Sequence, residues 1–409
     1  MDQTLQLFHR VLSSAGVSIF AKTNWDTKPW LIFQILNFFG GFFCFIFTTG
    51  FVVTNTADLL VFIKGACIWA TGIIMTISLA VCLAFRRNFR NFLEEMIYVD
   101  PLLDMPLVKH VLSEEGGVKS NELRHLVNDT QEKLFKYTQI LLKCYVFCGI
   151  FVATLYLCSP IYEMIIRNDK SLRLFAFDMW FPWELDNLYV YIATFIYHVY
   201  AGNLCCIAYP GLQSMIILLV GQQIRHLKVL TFIILNLDEL VTEYLKQKNE
   251  RWQPCCTAVL VDCVDHYVKL KRFGNRLNII CRPFYLTLIL VSIVIVCMCS
   301  VKIAVSDKLS PDTMKYYTHI FIFVVVVLIF CLLGQQVENQ CEILEISVTE
   351  KWYIYDRQYK LNMQIFNNAL SQRMPIYIFG TVTLSLPTFT WFIKTGMSFF
   401  TLVMSVIKD

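Results

Sequence analysis

The stretch LIFQILNFFGGFFCFIFTTGFVV, residues 31–53, decides the fold class because its 23 residues include no charged side chain. A helix needs about 20 mainly apolar residues to cross the hydrocarbon core of a bilayer. Six further stretches are equally free of charge or contain one lysine: 65–85, 137–160, the run between Asp186 and Arg225, 283–301, 316–337 and 387–407. We therefore predict an all-α membrane protein with seven transmembrane helices.

The composition excludes several other classes of protein. Of the 409 residues, 56% are hydrophobic and only 16% are charged, whereas soluble domains carry about 25% charged residues. The net charge of +4 shows no basic footprint, so we expect no nucleic-acid partner. Most of the sixteen cysteines fall in apolar runs, where a thiol behaves as a small hydrophobe. No metal-ligand spacing is present, and we expect neither a metal nor a cofactor.

The distribution of basic residues orients the chain in the membrane. Cytoplasmic loops carry an excess of lysine and arginine. If the amino end is inside, the inner segments contain 24 of these residues and the outer segments contain 6. We therefore predict an intracellular N-terminus and an extracellular C-terminus. Receptors coupled to G proteins have the opposite orientation, which disfavours a metabotropic receptor.

Apolar stripes at helical spacing continue beyond three of the spans. They comprise Leu123, Leu126, Leu134 and Phe135 before the third span, Leu227, Leu230, Ile234, Leu237 and Val241 after the fourth, and Ile343, Ile346, Trp352, Tyr355 and Tyr359 before the seventh. These patterns predict helices that extend into a cytoplasmic anchor region. Two arrangements remain open for 338–372, namely packing within one subunit and packing against copies of itself around an axis.

Motifs of catalysis are missing from the sequence. It contains no His-Glu-x-x-His, no Gly-x-Ser-x-Gly and no phosphate-binding Gly-x-x-x-x-Gly-Lys. We therefore expect no enzyme and no catalytic residues. An odd number of spans without an internal repeat also disfavours a secondary transporter.

The carboxyl-terminal quarter of the chain resembles the signature of insect odorant receptors. The matching elements are Gly334-Gln335-Gln336, Trp352-Tyr353, Met374-Pro375, Leu384-Ser385 through Phe389, Lys394, and Ser398-Phe399-Phe400 with Leu402; a second match upstream is Met179-Trp180-Phe181-Pro182-Trp183. The compact 221–279 loop lacks the large insertion of the olfactory co-receptor. The chain thus resembles a ligand-specific tuning subunit, and it lacks the Thr-Tyr…Gln-Phe ending of gustatory receptors.

This resemblance implies a function in olfactory sensory transduction. It implies one subunit of an odorant-gated, non-selective cation channel that forms a heterotetramer with the olfactory co-receptor. The expected partners are a small volatile organic odorant, co-receptor subunits and membrane lipids. The expected location is the plasma membrane of an olfactory sensory neuron, in its dendrite or cilium. A metabotropic seven-helix chemoreceptor and a gustatory-type receptor channel are the alternatives.

The resemblance also divides the chain into segments and assigns sites to them. The segments are a cytoplasmic N-terminal segment (1–30), six transmembrane helices with the ligand-binding bundle (31–335), a cytoplasmic anchor helix region (336–375) and a pore-lining seventh helix (376–409). The last helix is expected to line the pore, and at about 100° per residue four of its side chains lie along one line. These pore and gate residues are Thr395, Ser398, Leu402 and Val406.

Family members bind their ligands between the second and sixth spans, in stretches that are here rich in aromatic residues and poor in charge. Such a pocket is mostly apolar, with a few polar groups that orient the ligand. The expected ligand-binding residues are Trp69, Phe151, Leu155, Tyr156, Tyr191, Phe195, His198, Tyr316, His319 and Ile320. Trp180, Phe181 and Trp183 either cap this pocket or anchor their loop in the lipid headgroups.

Overall fold

A computed structural model describes residues 2–16, 27–114, 117–167, 173–245, 251–306 and 311–408. The helices are α1 (Asp2–Ser13), α2 (Lys28–Thr54), α3 (Leu59–Ala84), α4 (Arg86–Leu93), α5 (Pro106–Ser113), α6 (Val118–Arg167), α7 (Leu188–Leu235), α8 (Leu237–Leu245), α9 (Trp252–Val305), α10 (Pro311–Val348), α11 (Arg357–Ser371) and α12 (Leu386–Lys408). Two strands, β1 (Tyr377–Phe379) and β2 (Val382–Thr383), form an antiparallel hairpin. A π-helical turn (Glu94–Tyr98) follows α4, and a 3-10 turn (Trp352–Ile354) precedes α11.

Seven of the helices in the described ranges are long and apolar enough to cross a membrane, namely α2, α3, α6, α7, α9, α10 and α12. The prediction of an all-α protein with seven transmembrane helices is therefore confirmed. The orientation of the two ends stays a prediction.

The second span begins six residues before the stretch that hydropathy singles out. The carboxylate of Asp58 accepts hydrogen bonds from the backbone N–H groups of Leu60 and Val61, at 3.0 and 3.2 Å. An aspartate in this position satisfies N–H groups that the first helical turn leaves without partners. The helix therefore starts at Leu59 and carries Lys64 in its second turn.

Four spans continue far beyond the thickness of a bilayer. α6, α7 and α9 contain 50, 48 and 54 residues. A helix of 54 residues is about 80 Å long, against about 30 Å of hydrocarbon. Their projecting ends, with the projecting end of α10, pack with α4, α5, α8 and α11 into what we call the extension bundle.

The predicted apolar stripes differ in how far they are buried in the extension bundle. All five residues of the stripe that begins at Leu227 are buried, with at most 4% exposure. The stripe before the seventh span is divided, since Tyr355 and Tyr359 are buried while Ile343, Ile346 and Trp352 are exposed. Two of the five residues thus pack within the subunit, and the other three are left uncovered by it.

A buried ion pair joins three elements of the extension bundle. Arg225 of α7 donates to the carboxylate of Asp100 at 2.7 Å, and a ring nitrogen of His226 lies 3.2 Å from the same carboxylate. His226 in turn contacts His266 of α9 at 3.1 Å. Burial opposes ionisation of Asp100, but the adjacent ring of His226 and the charge of Arg225 outweigh it and lower its pKa to about 2.

A second carboxylate ties the start of α6 to α8. The side chain of Glu243 accepts from the Ser120 backbone N–H at 2.8 Å and from the Ser120 hydroxyl at 2.7 Å. It also accepts from the Lys119 backbone N–H at 3.2 Å. The first turn of α6 is therefore capped by another helix of the extension bundle.

α10 and α12 are joined through the short hairpin. α10 runs without a break across residue 335, where the expected segment boundary lies, and ends at Val348. A Cβ at Gly334 would overlap the backbone carbonyl of Leu384, so only glycine permits this approach. The Ser385 and Thr388 hydroxyls are 3.2 Å apart at the start of α12. The base of the seventh span therefore rests directly on the backbone of the sixth.

Candidate functional site

A cavity of about 130 Å³ lies among α3, α6, α7 and α10. Its size is close to that of an engineered apolar cavity of about 150 Å³ that binds benzene. The lining residues are Cys44, Ile68, Thr71, Gly72, Met75, Tyr145, Gly149, Val152, Ala153, Tyr156, Phe177, Met179, Ala201, Gly202, Cys205, Cys206, Tyr209, Pro210, Gln213, His319, Ile322, Phe323 and Val326. A molecule with about one ring therefore fits this space.

Small residues on facing helices help to create the cavity. Gly149 of α6 faces Cys206 of α7, and a Cβ on this glycine would meet the cysteine at 3.4 Å. Gly202 faces the ring of Phe177 at the same distance, and Ala153 lies beside it. Larger side chains at these positions would occupy the space that a ligand needs.

One end of the cavity, which we call the loop end, is formed by polar groups that already have partners. A ring nitrogen of His319 lies 3.1 Å from the Thr71 hydroxyl, and the other lies 3.5 Å from the Tyr156 hydroxyl. The ring of Phe177 packs on Tyr156 with 5.7 Å between the centroids. Hydrogen bonds within the protein thus hold these side chains in place.

The opposite end, which we call the bundle end because it faces the extension bundle, carries polar groups in a different state. The side chain of Gln213 is buried, and so are the hydroxyl oxygens of Tyr145 and Tyr209. None of these polar atoms makes a hydrogen bond of acceptable geometry with another residue in the described ranges. Buried polar groups in proteins are nearly always paired, so this end is suited to a partner from outside the chain.

The loop before α7 covers the loop end of the cavity. Phe175 and Phe177 stack on His198, with centroids 5.2 and 5.6 Å apart. The backbone N–H of Trp180 donates to the carbonyl of Phe47 at 2.9 Å. Asp178 forms an ion pair with Lys64 of α3 at 3.3 Å. The loop is thus attached to both α2 and α3.

Among the three residues considered as a cap, none lines the cavity. Phe181 is buried against Phe47, with centroids 5.1 Å apart. The Trp183 indole donates to the Thr194 hydroxyl at 3.2 Å, and Trp180 is half exposed. Phe177, which precedes the motif noted in the sequence, contributes the loop's aromatic ring to the cavity wall.

Two of the ten expected ligand-binding residues, Tyr156 and His319, line the cavity. Two others support its wall from behind. Tyr316 is buried against Tyr156, with centroids 6.5 Å apart, and His198 is stacked behind Phe177. The sequence therefore identified one polar corner of the cavity and its immediate support.

The other six expected residues lie away from the cavity. On α6, Phe151 is half exposed and Leu155 is half-buried, because the lining residues of this helix occupy a different face. The remaining contacts are Trp69 with the Thr49 hydroxyl, Tyr191 with the Leu174 carbonyl, Phe195 with Tyr191, and Ile320 in a separate groove beside Phe400. A role for any of the ten in ligand binding stays a prediction.

Several cavity residues were missed by sequence reasoning, among them Met75, Phe323 and Gln213. Gln213 carried a usable signal, since it is an amide within a span that contains no charge. Met75 and Phe323 carried none, because methionine and phenylalanine are ordinary residues of an apolar helix.

α12 has one face packed on α9 and another left uncovered. Phe392 is fully buried, and a Cβ at Gly396 would meet Val296 at 3.2 Å. Leu402 and Val406 are 59% and 63% exposed, Ser398 is exposed and Thr395 is half-buried. Three of the four expected pore residues, Ser398, Leu402 and Val406, are therefore exposed in the subunit, and Thr395 is partly covered.

Comparison with known proteins shows three likenesses. Residues 58–397 match the family model described as 7tm odorant receptor. The chain is 22% identical over 385 residues to odorant receptor 13a of Drosophila melanogaster. The aligned region covers 89% of this chain and 84% of that protein. The structure of the insect olfactory receptor OR5 from Machilis hrabei in complex with eugenol superposes with a TM-score of 0.80 at 14% identity.

A second structure of the same Machilis receptor superposes with a TM-score of 0.72 at 15% identity. Each superposition covers 99% of this chain and 98% of the other. At this identity the likeness concerns the fold, and it extends over all seven spans.

Proposed function

The chain belongs to the 7tm odorant receptor family, and on this premise we propose that it is the ligand-specific subunit of an odorant-gated, non-selective cation channel. As a multi-pass membrane protein it acts in the plasma membrane of an olfactory sensory neuron. It assembles with the olfactory co-receptor as a heterotetramer, and it binds a small volatile organic molecule.

The cavity among α3, α6, α7 and α10 is the observation that carries this proposal. Its volume of about 130 Å³ suits a small molecule, and its lining includes no charged side chain among the described residues. Binding sites for small neutral molecules are mostly apolar with a few polar groups that fix orientation. The same combination is found here, with polar side chains only at the two ends.

The uncovered face of α12 supports the pore part of the proposal. An apolar constriction closes a pore by excluding water when it is narrow. Leu402 and Val406 are exposed in one subunit, so copies of α12 could bring these side chains together around an axis. Thr395 and Ser398, which carry hydroxyl groups, extend the same line toward the start of the helix.

Co-expression with the co-receptor tests the function. We expect volatile organic molecules to evoke a cation current when both subunits are expressed. The current should be absent when either subunit is omitted. A broad panel without any current, at confirmed surface expression of the assembled complex, would refute the proposal.

Two substitutions in α12 test the gate. Leu402→Ser or Val406→Ser should change basal conductance or ion selectivity, because a polar side chain weakens the exclusion of water. Met397→Ser is the matched control, since Met397 is also about half exposed but lies on another face of the helix. Unchanged currents in both gate variants would contradict the assignment of Leu402 and Val406 to the pore.

An epitope tag at the amino end separates this function from a metabotropic receptor. We expect the tag to be inaccessible on intact cells and accessible after permeabilisation. A tag that antibodies reach on intact cells would contradict the predicted orientation and favour the metabotropic class.

A further inference from the structure

We propose that the cavity selects neutral ligands which carry a hydroxyl or carbonyl oxygen, and that Gln213 is the residue which recognises this oxygen. The inference rests on the proposed function and names the class of ligand for the same site. It assigns a specificity role to a residue of α7 and a direction to the bound molecule.

Gln213 is buried and yet has an unused capacity for hydrogen bonds. Its side chain is 1% exposed and lines the cavity. Neither its Nε2 nor its Oε1 makes a hydrogen bond of acceptable geometry with any residue in the described part of the chain. An amide taken out of water without a partner is unfavourable, so a bound molecule that supplies the partner gains affinity.

The two ends of the cavity differ in this respect, and the difference orients the ligand. At the loop end, His319 already contacts the hydroxyls of Thr71 and Tyr156. At the bundle end, the side chain of Gln213 faces the Tyr209 hydroxyl, but neither group makes a hydrogen bond of acceptable geometry, and the buried hydroxyl of Tyr145 makes none with the described residues. Among the described lining residues, the buried side-chain polar atoms that make no hydrogen bond all belong to Gln213 and its two neighbouring tyrosines, so the oxygen of a ligand is best accommodated there.

The wall between the ends suits an apolar body. Gly202 and Gln213 lie eleven residues apart on α7, which corresponds to about 16 Å along the helix. Cys205, Cys206 and Val152 lie between the two ends. A ligand thus points its oxygen toward Gln213 and its hydrocarbon part toward Phe177.

The chemistry of the amide selects neutral oxygenated molecules. A carboxamide donates through Nε2 to a carbonyl oxygen and accepts through Oε1 from a hydroxyl, so alcohols, phenols, ketones and aldehydes all match it. No described lining residue carries a charge that could pair with a carboxylate or an ammonium group. Charged molecules would therefore enter the cavity without compensation.

Matched pairs of probes test the inference in cells that express the complete receptor with its co-receptor. Benzyl alcohol is compared with ethylbenzene, and acetophenone with α-methylstyrene, because each pair differs mainly in the oxygen. We expect the oxygenated member to activate at a concentration about tenfold lower, as one hydrogen bond to a buried amide would give. In Gln213→Leu this preference disappears while the response to the hydrocarbon is kept or increased.

Gln34→Leu is the matched control. Gln34 is also a buried amide, on α2, but it does not line the cavity. This variant should keep the tenfold preference. Gln213→Met, which keeps the length of the side chain without the amide, repeats the test in a second form.

The outcomes separate this inference from the function on which it rests. Equal activation by both members of each pair would show that the amide does not recognise the oxygen, and a preference that survives Gln213→Leu would show that another group does. In either case the inference would be wrong while the receptor function stands. If neither Gln213 variant reaches the surface, Gln213 serves folding and the inference is overturned. No response to any probe by the surface-expressed complex would refute the proposed function as well.

Discussion

The cavity and the extension bundle both bury polar side chains, but the ones named below differ in whether they have hydrogen-bond partners within the chain. In the extension bundle, Asp100 is held by Arg225 and His226, and Glu243 caps the first turn of α6. In the cavity, Gln213 and the hydroxyl of Tyr209 are left open. The two carboxylates of the extension bundle have partners within the chain, whereas the amide of Gln213, which lines the cavity, makes no hydrogen bond of acceptable geometry with the described residues. Equal burial therefore has different meanings in the two regions.

Asp100→Asn should produce the largest loss of stability. The substitution leaves the charge of Arg225 buried without its counter-charge, and breaking such a pair costs about 3–5 kcal/mol. Thermal unfolding of the receptor purified in detergent measures the effect, together with the amount at the cell surface. Asp104→Asn, in the same loop but exposed, is the control. Equal stability of the two variants would show that the ion pair between Asp100 and Arg225 does not stabilise the fold.

Ala153→Phe should separate ligand binding from stability. A phenyl ring at this position fills space near Gly202, so the concentration for half-maximal activation should rise by about 10–200-fold, the range for misfit in an apolar pocket. The unfolding temperature should stay unchanged because the substitution does not affect the ion pair or the helix cap of the extension bundle. Thr154→Phe places the same ring on the exposed side of α6 and serves as the control. An unaltered dose–response curve in Ala153→Phe would place the ligand elsewhere.

Acid should weaken the extension bundle through Asp100. The carboxyl has a pKa of about 2 in the folded protein and about 3.9 when unfolded. Because the folded pKa is the lower one, the stabilisation is present above about pH 4 and is lost as the pH falls through 2, by about 2.6 kcal/mol in total. Unfolding of the parent protein and Asp100→Asn at pH 5, 4, 3 and 2 measures it. The two curves should converge in acid, and parallel curves would contradict the assignment.

Lys64→Gln should have the smallest effect. The ion pair with Asp178 holds the loop at the mouth of the cavity, but Lys64 is 40% exposed. Exposed pairs contribute about 0–1 kcal/mol, so sensitivity to ligand should change by less than about fivefold. Dose–response curves at low and high salt measure it, since salt should reduce the difference between Lys64→Gln and the parent. A large change that salt does not alter would point to a role beyond charge pairing.

The fold was readable from the sequence because the distribution of charge along it is so uneven. A charge-free stretch such as 31–53 has one stable environment, and seven such stretches give the number of spans. Local details were less accessible. The early start of α3 depends on the cap by Asp58, and the β1–β2 hairpin has strands of three and two residues, which are too short to show a periodic pattern.

The candidate site was readable only in part, and α7 shows why. Sequence reasoning assigns the inner face of a helix by contrasting its apolar and polar sides. α7 is apolar on all sides, so its pattern did not distinguish the face of Tyr209 from that of Tyr191 and Phe195, and only the amide of Gln213 stood out by its chemistry. Tyr156 and His319 were included because the family resemblance pointed to aromatic stretches poor in charge, and the same reasoning also selected Trp69 and Tyr191, which lie away from the cavity.

α10 is one continuous helix that connects the cavity with the base of α12. His319 and Gly334 are fifteen residues apart on one helix, so a tilt of about 5° at the cavity would displace the other end of this arm by about 2 Å. The glycine leaves no side chain to absorb that movement before it reaches Leu384 and the base of α12. If the proposed function holds, a ligand no larger than one ring would thus act on α12 without touching it.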